Sequence, residues 1–398
     1  MTPPVSLSIS PAIRLGAVGF GLIAICYGFA RFAFGLFLPQ IDADLSLGST
    51  LAGVISGGSF FGYCISIIVS AFATERFGAR VVAVGAAGVA AIGMVGIAAA
   101  PNAVWLASAV MLAGASTGLA SPPMAAAVAA AVRRDRQDIT NTVINAGTSA
   151  GVALSWPIAL IIGGQWRLAF AAFAVAALVL AGVLARTIPP AVAAGGSGLA
   201  QGVLPPLKGN IARLIFAAFL MGVASTAIWS FGGQLATLQL GRGAMGSGAL
   251  WVAIGGGGIV GAWAGALVSR FGLNHVHRVF LVAMACGILA AGLGTVMVAT
   301  LAGGVLFGAA YVMLTGVYLV WGVTALPDRP AIGLMIGFLT IAIGQTAGAP
   351  VFGFLLNAFG PMGAVLVFAS LALIPGVMKA QKGQRRTDMQ KSGPSPTV

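Results

Sequence analysis

Charge is scarce in this chain and negative charge scarcer still: 398 residues hold seven Asp and Glu, twenty Lys and Arg, and two His. With 59% hydrophobic and 7% charged residues, a soluble domain around one core is excluded. The three cysteines, Cys26, Cys64 and Cys286, sit singly in separate apolar stretches. That spacing builds neither a disulfide framework nor a thiolate metal site. No GxxxxGK[ST] segment occurs, so no P-loop nucleotide site is present. What fills the chain instead is a succession of apolar runs of about 20 residues, each long enough to cross a hydrocarbon layer of about 30 Å. Twelve can be counted, which reads as an all-α, multi-pass membrane protein with twelve transmembrane helices.

The net charge of +13 does not point to nucleic acid, because the basic residues are scattered through short loops rather than gathered in a patch. If the twelve spans alternate, seventeen of the twenty fall on one side, with Arg167 and Arg242 opposite and Arg31 inside a span. By the positive-inside rule both termini are cytoplasmic. The first span, residues 13–39, is long for a signal sequence and lacks a small-residue cleavage site, so it is expected to be retained.

Arg31 is the residue that composition does not explain. A central arginine costs about 2.5–3.5 kcal/mol on insertion scales, and such residues face a bundle interior or an aqueous cavity. The competing reading is that Arg31, eight residues before Pro39, snorkels to the nearer interface. Asp42 and Asp44 lie too far along the span to pair with it, which leaves a bound anion or the carbonyls of a neighbouring helix as partner.

Other polar residues keep helical time. Ser56, Ser59, Tyr63, Ser66 and Ser70 share one face of span two, and Asn141, Asn145, Thr148 and Ser155 one face of span five. Trp229 and Gln234 lie in span seven, Tyr311, Thr315 and Tyr318 align in span ten, and Gln345 lies in span eleven. Such stripes serve either helix-to-helix hydrogen bonding or a cavity wall. Spans three, six, nine and twelve are nearly bare of polar groups and read as an outer layer. The run Gly255–Gly258 falls inside span eight, where Gly257, Gly261 and Gly265 keep a four-residue packing spacing. His275 and His277 fall in the following loop without an acidic or cysteine cluster, which reads as a hydrated loop and no metal site.

The sequence repeats itself at about half its length. Arg76-Phe77-Gly78 recurs 194 residues later as Arg270-Phe271-Gly272, and the Gly147, Gly151 pair recurs 197 residues later as Gly344, Gly348. With the Pro- and Gly-rich stretch between them, these divide the chain into a first six-helix bundle (1–186), a linker (187–209), a second six-helix bundle (210–379) and a basic tail (380–398).

From these features the chain resembles the major facilitator superfamily over nearly its whole length. Glu75-Arg76-Phe77-Gly78-Ala79-Arg80 is similar to that family's signature between helices two and three, with Glu75 for the usual aspartate, Ala79 for a basic residue and Ala71 for the leading glycine. The second copy, Gly265 to Gly272, keeps its leading glycine and has Ser269 at the acidic position. Tyr27-Gly28-Phe29-Ala30-Arg31-Phe32 followed by Leu38-Pro39 resembles the bacterial YbfB/YjiJ-type branch. Span five matches the antiporter signature only at Gly147 and Gly151, so export is not inferred from it.

The resemblance implies two pseudo-symmetric bundles rocking about a midplane site, in a bacterial inner membrane. All seven acidic residues, Asp42, Asp44, Glu75, Asp135, Asp138, Asp328 and Asp388, fall in loops or the tail, so the spans are expected to hold no carboxylate and no histidine. An enzyme is disfavoured by that inventory. A cavity offering Arg31 with aromatic and amide groups suits a small organic anion, a carboxylate above all. Arg31 would supply the charge; Tyr27, Asn145, Thr148, Trp229, Tyr311, Tyr318 and Gln345 would orient the substrate. Glu75, Arg76, Arg80, Arg136 and the second-copy Arg270 would form a cytoplasmic latch. The expected partners are a small-molecule substrate, a proton only if the substrate carries it, and the lipid bilayer; the chain is read as a monomer with no cofactor and no bound metal. Efflux of neutral or amphiphilic compounds, and solute sensing without transport, are the competing functions.

Overall fold

The computed structural model describes residues 10–190, 209–241 and 243–380. The glycines and prolines of the linker between 191 and 208, Arg242 and the tail from 381 lie outside the described residues, as does Asp388.

Among the described residues ten helices are long and apolar enough to cross a membrane, and two of them are double. Gly48–Ala98 turns back at Gly78, and Pro330–Leu373 at Gly360, so that twelve crossings result. We number them α1 (Pro11–Leu45), α2 (48–77), α3 (79–98), α4 (Ala103–Ala131), α5 (Arg134–Ile161), α6 (Trp166–Thr187), α7 (209–240), α8 (243–271), α9 (Leu273–Leu293), α10 (Met297–Ala325), α11 (330–359) and α12 (361–373). An even number of crossings puts the first and last described residues, Ser10 and Ala380, on one face, called here the terminal face. There Ala380 N donates to Asn274 Oδ1, Arg213 to the Lys379 carbonyl and Arg278 to the Gly376 carbonyl.

The reversals show why the Phe-Gly pairs recur. Gly78 has φ 82°, Gly272 φ 81° and Gly360 φ 69°, each directly after a phenylalanine and each between two spans. A Cβ at any of the three would meet nothing within 4 Å, so the dihedral, not space, calls for glycine.

Within each half the glycines do the opposite job, letting backbones touch. Gly93 of α3 lies against Ala113 of α4, and Gly287 of α9 against Phe307 of α10, both residues displaced by 194. Gly114 faces Ser59 as Gly308 faces Ile254; Gly147 faces the Phe20 carbonyl as Gly344 faces that of Phe219. The sequence repeat is thus a repeat of contacts, and the two six-helix bundles share one packing scheme. The same register makes Thr148 of α5 and Gln345 of α11 equivalent positions. Close small-residue packing of this kind supplies helix association where no hydrophobic force acts between apolar spans.

Three spans depart from α geometry near the centre. Residues Ala24–Phe32 of α1 form a π-helix, α7 breaks between Trp229 and Gly232, and α8 tightens to a 3₁₀ turn over Ile259–Trp263. π-bulges and mid-helix 3₁₀ turns concentrate at functional sites and hinges.

Two sequence expectations are corrected here. The first span does not stop at Pro39 but continues to Leu45 with Pro39 inside it. The Gly35 carbonyl, which Pro39 cannot bond, faces Gly233 of α7 across a backbone-to-backbone crossing. Arg31 does not snorkel along this helix: it is buried, and its guanidinium bonds inward to Gln345. The second correction concerns His277, which is no loop residue. It lies one turn into α9, fully buried, with Nε2 3.0 Å from Tyr318 Oη. The reversal at Gly272 is so tight that the helix begins at Leu273 and carries His277 inside.

Candidate functional site

Between the halves lies a cavity of about 510 Å³, lined from α1 by Tyr27, Arg31 and Phe32, from α2 by Tyr63, and from α5 by residues between Asp138 and Ser149. The second half contributes residues 258–265 of α8, 311–320 of α10 and 338–345 of α11. Each of these stretches lies at mid-span or on the side toward the terminal face, so the cavity opens there.

The opposite end is shut by backbone contact. Gly53 and Gly57 of α2 lie against Ala349, Pro350 and Thr346 of α11, and Gly353 against the Ser49 carbonyl. Ser56 Oγ donates to Ser230 Oγ at 2.6 Å where α7 breaks, and Phe231 packs on Phe352 with ring centres 5.0 Å apart.

Arg31 sits at the inner end of the cavity, 6% exposed. Its Nη2 donates to Gln345 Oε1 at 2.6 Å, and its guanidinium carbon lies 4.6 Å from the Phe60 ring centre, 4.7 Å from Tyr63, 5.1 Å from Phe32 and 5.8 Å from Tyr27. Cation–π contacts of this kind contribute about 0.5–2 kcal/mol each, more when desolvated. Its Nε has no hydrogen-bond partner among the described residues. No carboxylate pairs with it among the described residues, so its charge is held by aromatic faces and one neutral amide. Neither a carbonyl of a neighbouring helix nor Asp42 or Asp44 is the partner. Asp42 caps Gly48 N at 2.8 Å, and Asp44 accepts from Trp166 Nε1 at 2.7 Å.

Gln345 carries the network onward. Its Nε2 donates to Ser225 Oγ and to Tyr311 Oη, both at 3.1 Å. Trp229 does not line the cavity; it lies beneath, stacked on Phe32 at 4.0 Å and edge-on to Tyr311 at 5.1 Å. Asn145 and Thr148 do line it, with Asn145 exposed to it.

Tyr318 stands apart from the rest. It is fully buried on the α9 side of α10, donating to the Ala217 carbonyl at 3.2 Å and meeting His277, and it does not reach the cavity. The α10 residues that do, Tyr311, Val312, Thr315, Gly316, Leu319 and Val320, fall on two adjacent rows of four-residue steps, and Tyr318 lies on neither. Asp138 corrects another expectation. Because α5 starts at Arg134, the carboxylate lies on a helix and lines the cavity mouth.

Sequence reasoning missed Phe60, which has no polar signal, and the bridging role of Ser225. Of the serine stripe on α2, Tyr63 reaches the cavity; Ser66 and Ser70 bond the Tyr63 and Leu119 carbonyls. Among the latch candidates, Arg76, Arg136 and Arg270 are exposed, Glu75 is half-buried, and Arg80 donates to the Ile188 carbonyl at 2.6 Å.

Residues 20–338 match the family model described as Major Facilitator Superfamily. The chain belongs to that superfamily. No curated protein matches the sequence. Among solved structures, a mutant of the nucleoside transporter NupG is similar with a TM-score of 0.76 at 12% identity, covering 92% of this chain and 98% of that one. The xylose transporter XylE from E. coli, in a partially occluded inward open conformation, is similar with a TM-score of 0.73 at 15% identity, again over 92% and 98%. At such identities the likeness is one of fold. This major facilitator protein is a multi-pass transporter.

Proposed function

We propose that this transporter moves a small organic anion, most simply a carboxylate, by rocking its two halves about the cavity. One observation carries this reading: a buried, cavity-lining guanidinium whose hydrogen-bond partner is a neutral amide. A carboxylate would supply the missing charge in the bidentate geometry that arginine favours. Asn145, Thr148 and Tyr311 would contact the rest of the substrate, with Trp229 supporting Phe32 from beneath. Tyr318 is not carried into this proposal.

The loop charges support a cytoplasmic terminal face, and the family resemblance a bacterial inner membrane; on that orientation the state described is open inward. Glu75, Arg76, Arg80, Arg136 and Arg270 would then latch the cytoplasmic ends in the opposite state. Tyr27 to Phe32 with Leu38-Pro39 supports placement in the YbfB/YjiJ-type branch. A monomer suffices for this cycle, and a coupling proton would travel with the substrate.

A second reading, efflux of a neutral or amphiphilic compound, is favoured by the aromatic ring around Arg31, which could hold the arginine as a purely structural post. Flux of radiolabelled carboxylates and neutral solutes into proteoliposomes, wild type against a folded Arg31→Gln variant, separates the two. Saturable anion flux lost in the variant supports the anion pathway. Anion flux that the variant leaves unchanged, or flux confined to neutral solutes, removes it, and saturable binding without flux indicates a sensor.

A further inference from the structure

Gln345 is arranged as more than lining. It is fully buried, and three contacts fix its amide: the carbonyl oxygen on Arg31 Nη2, and the amide nitrogen on both Ser225 Oγ and Tyr311 Oη. Both N–H donors are used, so the carbonyl cannot turn away from Arg31 without leaving a donor unmatched. A planar acceptor oxygen held against the end of a guanidinium is the geometry of one half of a carboxylate. The Nε of the guanidinium has no partner among the described residues.

The bond also crosses the molecule. Arg31 belongs to the first half and Gln345 to the second, and their hydrogen bond joins the halves at the inner end of the open cavity. Around that end the lining is aromatic: Tyr27, Phe32, Tyr63, Tyr311 and Phe338. A flat aryl group fits such walls, by offset stacking or edge contact.

Resting on the anion reading, we infer that Gln345 is an internal surrogate ligand, which occupies Arg31 in the empty cavity and is displaced by an aryl carboxylate. The displacement is favourable because a carboxylate offers two oxygens and a full negative charge where the amide offers one oxygen and none, so the single bond to Arg31 becomes a bidentate ion pair. The direct link between the halves at the inner end of the cavity is then replaced by one that runs through the substrate, so binding is coupled to how the halves are joined there.

The test uses the purified full-length protein, benzoate as probe, and p-hydroxyphenylglyoxal as an arginine reagent, with modification of Arg31 followed by mass spectrometry of its peptide. In Gln345→Ala, benzoate binding measured by thermal shift should tighten about five- to tenfold, about 1.0–1.4 kcal/mol, and Arg31 should be modified several times faster than in wild type. Gln345→Asn, one methylene short of Arg31, should behave alike and guards against a folding defect in the alanine variant. In Gln345→Glu the new carboxylate should keep Arg31 protected and abolish benzoate binding. If Ala and Asn weaken benzoate as Arg31→Gln does, Gln345 is a substrate ligand and the surrogate role is wrong. Equal Arg31 reactivity in wild type and Gln345→Ala overturns it too. If wild type and Arg31→Gln bind benzoate alike, the anion reading itself fails, whatever the Gln345 variants do.

Discussion

Arg31 and Gln345 are separated by 314 positions in the chain and share a 2.6 Å hydrogen bond. That bond is made between a π-helical turn of α1 and the middle of α11, with the Phe60 and Tyr63 rings against the guanidinium. The site is therefore a joint between two bundles, and substitutions there should act on transport rather than on folding.

Arg31→Lys keeps the charge and loses the planar fork. On the anion reading, flux in proteoliposomes should fall at least about tenfold, with the melting temperature in detergent changed little, because a lysine makes a point contact where a bidentate one is needed. Retention of full flux would show that geometry at residue 31 is unimportant.

Ser56 and Ser230, with hydroxyls 2.6 Å apart on opposite halves, are placed for a cross-link. The double variant Ser56→Cys, Ser230→Cys should oxidise readily, since bridged cysteines need Cβ atoms about 3.8 Å apart. Flux should stop on oxidation and return with dithiothreitol. Transport unaffected by a complete cross-link would mean that this end never opens.

Asn145 is exposed in the cavity, on the side open to the terminal face. With Asn145→Cys in a Cys286→Ser background, a membrane-impermeant thiol reagent should label inside-out vesicles and spare right-side-out ones. The reverse pattern would invert both the assigned orientation and the open side.

Gly93 and Gly287 occupy matched contacts in the two halves, each against the backbone of the next helix. Leucine at either should cost about 1–3 kcal/mol through overpacking, read as similar losses of melting temperature. A marked inequality would show that the halves do not share the strain.

Tyr318→Phe removes a hydroxyl bonded to the Ala217 carbonyl and to His277, outside the cavity. The expected cost is about 1 kcal/mol of stability, with the KM for any transported solute unchanged. A raised KM with normal stability would return Tyr318 to the substrate path.

Much of this was legible in the sequence because helical periodicity and apolar length are local. The twelve crossings follow from them, as do the matched halves and the faces that bring Tyr27, Arg31, Asn145, Thr148, Tyr311 and Gln345 to one cavity. Where reading failed, the cause was rotation or boundary. Tyr318 shares an ideal-helix face with Tyr311, yet the cavity follows the inclined four-residue rows and leaves it behind. His277 and Asp138 were placed in loops because polar neighbours hid how early α9 and α5 begin. The π-turn around Arg31 has no local signature at all, and Phe60 is distinguished from other apolar residues only by what it touches.

The equivalence of Thr148 and Gln345 carries one more meaning. If the two halves were alike at their centre, a bound molecule could lie either way round with equal energy. A hydroxyl at one position and an amide at the other remove that degeneracy, and Arg31 removes it further. On the anion reading a substrate would thus be received head first, its two ends told apart by halves that otherwise share one packing scheme.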